Sequence, residues 1–474
     1  MRTCAPCVAL RSAAPLLRPA LLFIPLACNS ATPEIEPRRD TVTTQAAQRS
    51  IPLRLHPTNH RYFVDGFGRT VYLTGSHTWN QCGDGFDYEA YLDFLQKYHH
   101  NFIRLWSGDY GISGSPPAYL RPGPRKALDG GPKVDLSQPN PAYFDRVRSC
   151  SEAARKRGIY VAISFFPIDS AKRQSDRDES PYFAPNNLQE LGADADGNGH
   201  LSEAFDLSIP ELTAYQEAFA RKLIDAVNDL DNVLYEIGNE GDVRSAAWQY
   251  HLVRIIREHE FRKPKQHLVG ITAMLDWPTH TDGSNEVLLA SPADWVSLSG
   301  VSYRADVPAS DGTKASILDT DHISVVKPDW VWKCFTRGHH PILMDWYGHE
   351  SLPMNWYTAD EQEVMRNYLG YTLQFAQKMA LGEMRPADAL SSTQYCLAHP
   401  GHEYLVYQPA PSSAFTVELI PGAYTYEWFN PASGTTPSAG SLTAEKTTMT
   451  FVAPFAGEAI LYLRRLSEPG AQPR

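Results

Sequence analysis

Cysteine is scarce: there are seven in 474 residues, and beyond Cys28 only Cys82, Cys150, Cys334 and Cys396 remain. Their scattered spacing fits no zinc pattern, and the fold is not expected to rest on disulfides, so they read as small buried hydrophobes. No HExxH occurs, and Gly348-His349-Glu350 lacks the second histidine that zinc peptidase chemistry needs. No Gly-rich phosphate turn follows a strand, which counts against a doubly wound nucleotide-binding sheet. Basic charge is also short, with 43 Lys and Arg against 54 Asp and Glu. A net charge of −11 argues against nucleic acid or an anionic membrane as partner. The leading apolar run, Leu16 to Leu26, is too short and too broken by proline to cross a bilayer.

That run, preceded by Arg2 and Arg11, reads instead as an export signal over residues 1–28. It closes on Leu26-Ala27-Cys28-Asn29, the form of a bacterial lipoprotein box in which Cys28 would carry a lipid anchor, although Pro25 stands where such boxes carry leucine. Ordinary signal cleavage nearby is the alternative. Either reading exports the protein, to the bacterial cell envelope or the medium. Residues 29–50 are polar and non-periodic, as a tether would be.

Short apolar strands then alternate with helical segments over about 300 residues. Strands are expected at Thr70–Leu73, Asn101–Trp106, Ile159–Phe165, Asn232–Ile237, His267–Ala273, Trp295–Leu298, Lys314–Leu318 and Pro341–Met344. Helices are expected at Asp87–Tyr98, Pro141–Lys156, Pro210–Val227, Arg244–His259, Asp329–Arg337 and Asp360–Met379. Eight such repeats predict an α/β protein, a (β/α)8 TIM barrel over residues 51–384, although the link between strands six and seven is too short for a full helix. From residue 385 to 466, strands separated by Pro, Gly and Ser predict a small all-β sandwich, followed by a tail at 467–474.

Catalytic groups of such barrels project from the C-terminal ends of the strands. Strand four ends in Gly238-Asn239-Glu240, and strand seven runs into Asp319-Thr320-Asp321-His322. Carboxylates at these two ends suit glycoside cleavage, which needs one acid for the leaving oxygen and one carboxylate across the scissile bond. For Glu240 the plainer role is a cap on the helix beginning near Arg244. Either Asp319 or Asp321 could instead simply hold a loop or Arg104. His77, Trp79, Trp106, Asn239, His322, Asp345 and Trp346 also follow strands and are candidate substrate contacts; the bland alternative for each is packing. Asn186-Asn187 lies in the long loop after strand three, a natural cleft wall.

The run Val233 to Glu240 resembles clan A glycoside hydrolases, in which the Glu after Asn is the acid/base. Asn101-Phe102-Ile103-Arg104-Leu105-Trp106 resembles the strand two of that clan, whose Arg supports the strand-seven nucleophile. His56-Pro57 with Tyr62-Phe63-Val64-Asp65-Gly66 resembles the apiosidase-like barrels of the clan. Tyr395 to Ala398, Glu403 to Tyr407 and Trp428 to Pro431 resemble the β-sandwich known as a collagen-binding-type domain. The resemblance implies an exported hydrolase of O-glycosidic bonds acting on a poly- or oligosaccharide with retention, with Glu240 as acid/base and Asp319 or Asp321 as nucleophile. It departs at strand seven, where the clan carries Glu, one methylene longer than Asp. The reading from another class is a catalytically silent carbohydrate- or matrix-binding protein.

No cofactor is required by this chemistry. Asp194-Ala195-Asp196-Gly197-Asn198-Gly199 copies the start of an EF-hand loop, so Asp194, Asp196 and Asn198 are candidate ligands for a structural calcium, although Phe205 stands where such a loop needs Glu. The bland reading is a solvated Asp/Gly turn.

Overall fold

The computed structural model describes residues 51–78, 83, 85–106, 116–172, 174–276, 281–282, 285–348, 356–410 and 413–466. The leader, Cys28, the 29–50 tether, Trp79, Cys82 and the 467–474 tail lie outside them. Eight strands form one parallel, barrel-like sheet: Gly75–His77, Phe102–Trp106, Tyr160–Phe166, Val233–Gly238, Val269–Ile271, Trp295–Val296, Ala315–Asp319 and His340–Met344, here barrel strands one to eight. Strands two to eight pair in sequence order, and strand eight pairs back onto strand one. Strands one and two meet through Asn101, whose amide N–H donates to the Thr74 carbonyl while its side chain bonds Thr74 N and the Tyr72 carbonyl.

The opening strand differs from expectation. Thr70–Val71 completes a three-stranded antiparallel sheet with Arg54–Leu55 and Phe63–Val64, and the barrel begins at Gly75 instead. Glycine is needed there, because a Cβ at Gly75 would lie 2.2 Å from the Phe102 carbonyl oxygen.

The helices follow their sequence signals. Asn140 caps Pro141–Lys156 through the Ala142 amide with proline in the first turn, and Thr358 and Glu361 form a capping box on Ala359–Lys378. Between strands six and seven there is only a 3-10 turn, Val301–Tyr303.

Inside the barrel, Phe102, Ala162, Leu234, Trp295, Ala315, Ile317 and Ile342 form an apolar floor. Counting by two along strands two, four and seven leads up from that floor to Arg104, Glu236 and Asp319, all fully buried.

Three histidines anchor the barrel as neutral rings. His340 Nε2 reaches the Arg61 carbonyl at 2.8 Å, His339 Nε2 the Pro308 carbonyl at 2.7 Å, and His100 Nε2 the Arg366 carbonyl at 3.0 Å, so each Nε2 carries the proton. Burial lowers all three from 6.5 to about 4. The unfolded chain takes up these protons below pH 6.5, whereas the folded chain resists them until about pH 4. Stability is therefore full above pH 6.5 and falls as pH drops toward 4, by about 1.4 kcal/mol per group per pH unit. A denaturant midpoint unchanged between pH 7 and 5 would contradict this.

Beyond Met384 the chain is antiparallel. Arg385–Pro386, Cys396–His399, Glu403–Gln408, Ala459–Arg465, Gly422–Asn430 and Thr435–Ala444 form a six-stranded sheet in that spatial order, and Phe415–Glu418 pairs with Thr448–Phe451. Tyr404, Val406, Trp428 and Leu461 pack with Phe415, Val417 and Phe451 between the two sheets. The alternate residues Leu405, Tyr407, Phe429 and Tyr462 face the barrel and join its core. Trp332 of the helix Trp330–Thr336 sits at that junction, with ring centroids 6.4 Å from Tyr407 and 6.1 Å from Phe429. The hydroxyls of Tyr368 and Tyr407 both donate to Glu458. Among the described residues Cys150, Cys334 and Cys396 are free thiols, all buried.

Candidate active site

Arg104 is the hub. Its guanidinium donates twice to Glu236 (2.7 and 2.8 Å), once to Asp319 Oδ2 (2.6 Å) and once to Asn239 Oδ1 (2.8 Å), with no part exposed to solvent. Burial alone would lower Arg104, but Glu236 and Asp319 outweigh it and hold the guanidinium charged. Glu236 went unassigned in the sequence, where it is one acid within an apolar strand; its inward parity was the available signal.

Asp319 ends strand seven and caps the short helix Thr320–Ile323, accepting the Asp321 amide at 2.9 Å. His77 Nε2 lies 2.8 Å from Asp319 Oδ2, a close polar approach without the alignment of a directed hydrogen bond. Burial works against the Asp319 charge, yet His77 and Arg104 prevail and hold this carboxyl well below the usual range. Its side chain is wholly inaccessible. Trp106 packs on His77 (5.4 Å between rings) and beneath the Arg104 guanidinium.

Above this layer, His322 Nε2 contacts Asn239 Oδ1 at 2.7 Å and its Nδ1 contacts Ser297 at 2.7 Å. Because Asn239 Oδ1 can only accept, Nε2 carries the proton, and the Ser297 hydroxyl donates to Nδ1. Burial, with Arg104 close by, keeps this ring neutral.

Asp321 and Glu240 reach solvent, with side chains 13% and 18% exposed. Asp321 Oδ2 lies 3.4 Å from the Asn239 amide nitrogen and 3.8 Å from Arg104. Burial, then Glu240 and Asp319, push Asp321 well above the ordinary carboxyl range. Glu240 Oε2 is 2.5 Å from Lys172 Nζ, and Glu240 holds a left-handed backbone, φ +42°. Burial alone would lower Lys172, but Glu240 raises it. Asp169, on the turn Ile168–Ala171, is pushed up to about 7 by burial and by Glu240. Lys172 and Asp169 come from the loop after strand three and were not anticipated. Helix capping near Arg244 falls to Asp242, which accepts the Arg244 amide at 2.8 Å, not to Glu240.

One expectation is corrected. Asp345 is no cleft residue: its carboxylate is held by Arg366 of the helix Ala359–Lys378 (2.8 and 2.5 Å), outside the barrel. Asn198 turns its amide onto Asp196 and the His200 backbone, while Glu203 joins Asp194 and Asp196, whose carboxylate oxygens converge within 4.8 Å of one another. Arg177 already pairs with Asp194 at 2.8 Å. Asn186 and Asn187 are buried and tie down their own loop through its carbonyls. Trp346 is buried, edge-on to the exposed Trp356 at 6.1 Å.

No family model and no curated protein matches this chain. Solved structures do. One described as a glycoside hydrolase superposes with a TM-score of 0.57 over 88% of this chain and 98% of its own. A Bacteroides vulgatus protein described as a candidate glycoside hydrolase gives 0.61 over 88% and 83%, and a glycoside hydrolase family 5 structure from the same organism gives 0.55 over 89% and 94%. Each is 13% identical, so the likeness speaks for the fold: a parallel eight-stranded barrel followed by antiparallel sheets.

Proposed function

We propose that the protein is an exported glycoside hydrolase that cleaves a poly- or oligosaccharide with Glu240 and Asp321, while Asp319 anchors Arg104. The observation that carries this reading is the pair of solvent-reaching carboxyl groups after strands four and seven, with Asp321 pushed above the ordinary carboxyl range by burial and by its acidic neighbours. The shared fold with structures described as glycoside hydrolases supports it.

Two oxygens are needed across a glycosidic bond, and Asp319 is too enclosed to supply one. The single helical turn Thr320–Ile323, capped by Asp319, carries Asp321 to the solvent-reaching layer in its place. Export with lipidation at Cys28 completes the reading.

The test is hydrolysis of a panel of aryl glycosides and plant polysaccharides, with Glu240→Gln and Asp321→Asn as controls. Each variant should lose about 10²–10⁴ in rate on unactivated substrates. Sugar binding without turnover anywhere on the panel would favour the silent-binding alternative. Product stereochemistry by NMR would decide retention against inversion.

A further inference from the structure

We infer that Lys172 sets the roles of the two mouth carboxylates: it holds Glu240 as the ionised partner and leaves Asp321 as the acid that protonates the leaving oxygen. The inference rests on the glycosidase reading and reverses the roles that the resemblance at strand four implies.

Lys172 is braced from several sides. The Leu201 amide donates to the Ala171 carbonyl at 3.0 Å, His200 Nδ1 meets the Lys172 carbonyl at 2.8 Å, and the Asp169 amide donates to the Asn239 carbonyl at 3.1 Å. The turn carrying Lys172 is therefore fastened to the residue that precedes Glu240. The ammonium and the carboxylate are each about one-fifth exposed and 2.5 Å apart. A proton on Glu240 would have to sit against that fixed positive charge.

Around Asp321 the balance is opposite. Arg104 on strand two is its nearest cation, at 3.8 Å, but direct bonds to Glu236 and Asp319 already outnumber that charge. His322 on the same short helix is neutral. Glu240 after strand four, Asp319 on strand seven and Asp169 after strand three all face Asp321 as acids, and Lys172 is engaged with Glu240. Five carboxyl groups (Asp169, Glu236, Glu240, Asp319, Asp321) thus share Arg104, Lys172 and, against Asp319 alone, His77. Asp321 is the solvent-reaching one that burial and its neighbours favour protonated.

In the reaction, the Asp321 O–H proton passes to the glycosidic oxygen, which keeps the electron pair of the breaking anomeric C–O bond. Glu240 supplies the opposing pair. It either bonds the anomeric carbon, to be displaced later by water, or takes a proton from the water that attacks there.

Leaving-group dependence tests the assignment. Asp321→Asn should lose about 10²–10⁴ on alkyl or sugar aglycones and far less on dinitrophenyl glycosides, which leave without a proton. Glu240→Gln should lose both. Lys172→Met should move the acidic limb of the kcat/KM profile to higher pH by about one unit or more, and Lys172→Arg should restore it. The reverse pattern, Glu240→Gln sparing dinitrophenyl glycosides while Asp321→Asn abolishes both, would overturn the role assignment. An acidic limb unmoved in Lys172→Met would overturn the part given to Lys172. Carboxyl 13C titration of wild type and Lys172→Met reads the same charges without turnover. Glu240 should titrate higher in the variant, and Asp321 above the ordinary range in both. An Asp321 signal in the ordinary range overturns the inference whether or not the protein hydrolyses glycosides. If the titrations behave as stated in a protein without turnover, the glycosidase reading is what has failed.

Discussion

Arg104→Met is expected to cost both fold stability and turnover. The guanidinium neutralises Glu236 and Asp319 where neither can reach water. Removing one partner of a buried ion cluster leaves uncompensated charge and costs about 3–5 kcal/mol. The loss should shrink in Arg104→Met/Glu236→Gln, which removes a cation and an anion together, and denaturant unfolding of both variants measures the difference. Asn239 also depends on Arg104, and Asn239 positions Asp321, so kcat/KM should fall about 10²-fold or more even where the variant stays folded. A stable Arg104→Met protein would contradict the cluster described above.

Trp332→Ala should be nearly as damaging, far from any chemistry. The indole fills the seam where the barrel meets the C-terminal sheet, touching Phe335, Tyr368 and Phe375 on one side and Tyr407 and Phe429 on the other. Large-to-small truncation of a buried aromatic costs about 3–5 kcal/mol. For the same reason, ending the chain at Met384 should yield an insoluble barrel, since it bares Trp332 and Phe375 together. Thermal unfolding that left the two parts melting separately in wild type would contradict this coupling.

Much of this architecture was readable from residues alone. Pro141–Lys156 and Pro210–Val227 each open on a proline, the first also capped by Asn140, and the apolar strands three, four and eight stood out against polar links. Gly75–His77 and Thr435–Ala444 did not, because their residues are small or polar. The first is a strand because two backbones approach closely there; the second is an exposed edge held by pairing to Gly422–Asn430. Asp345 shows parity neglected: counted from the inward Ile342, it falls on the outer face. Glu240 was singled out from its place at a strand end, and it lies in the solvent-reaching layer beside Lys172. Lys172 and Asp169 could not be, since only the folded path of the loop after strand three brings them to Glu240.

The left-handed backbone at Glu240 bears on the history of this sequence as well as its chemistry. A side chain in that conformation costs about 1–2 kcal/mol that glycine would not incur. Glu240→Gly should therefore unfold at a higher temperature than Glu240→Ala, while both are inactive. A lineage released from the need for a carboxylate at this point would gain stability by drifting to glycine or asparagine. Glutamate at position 240 is thus a choice that selection for the fold alone would not keep.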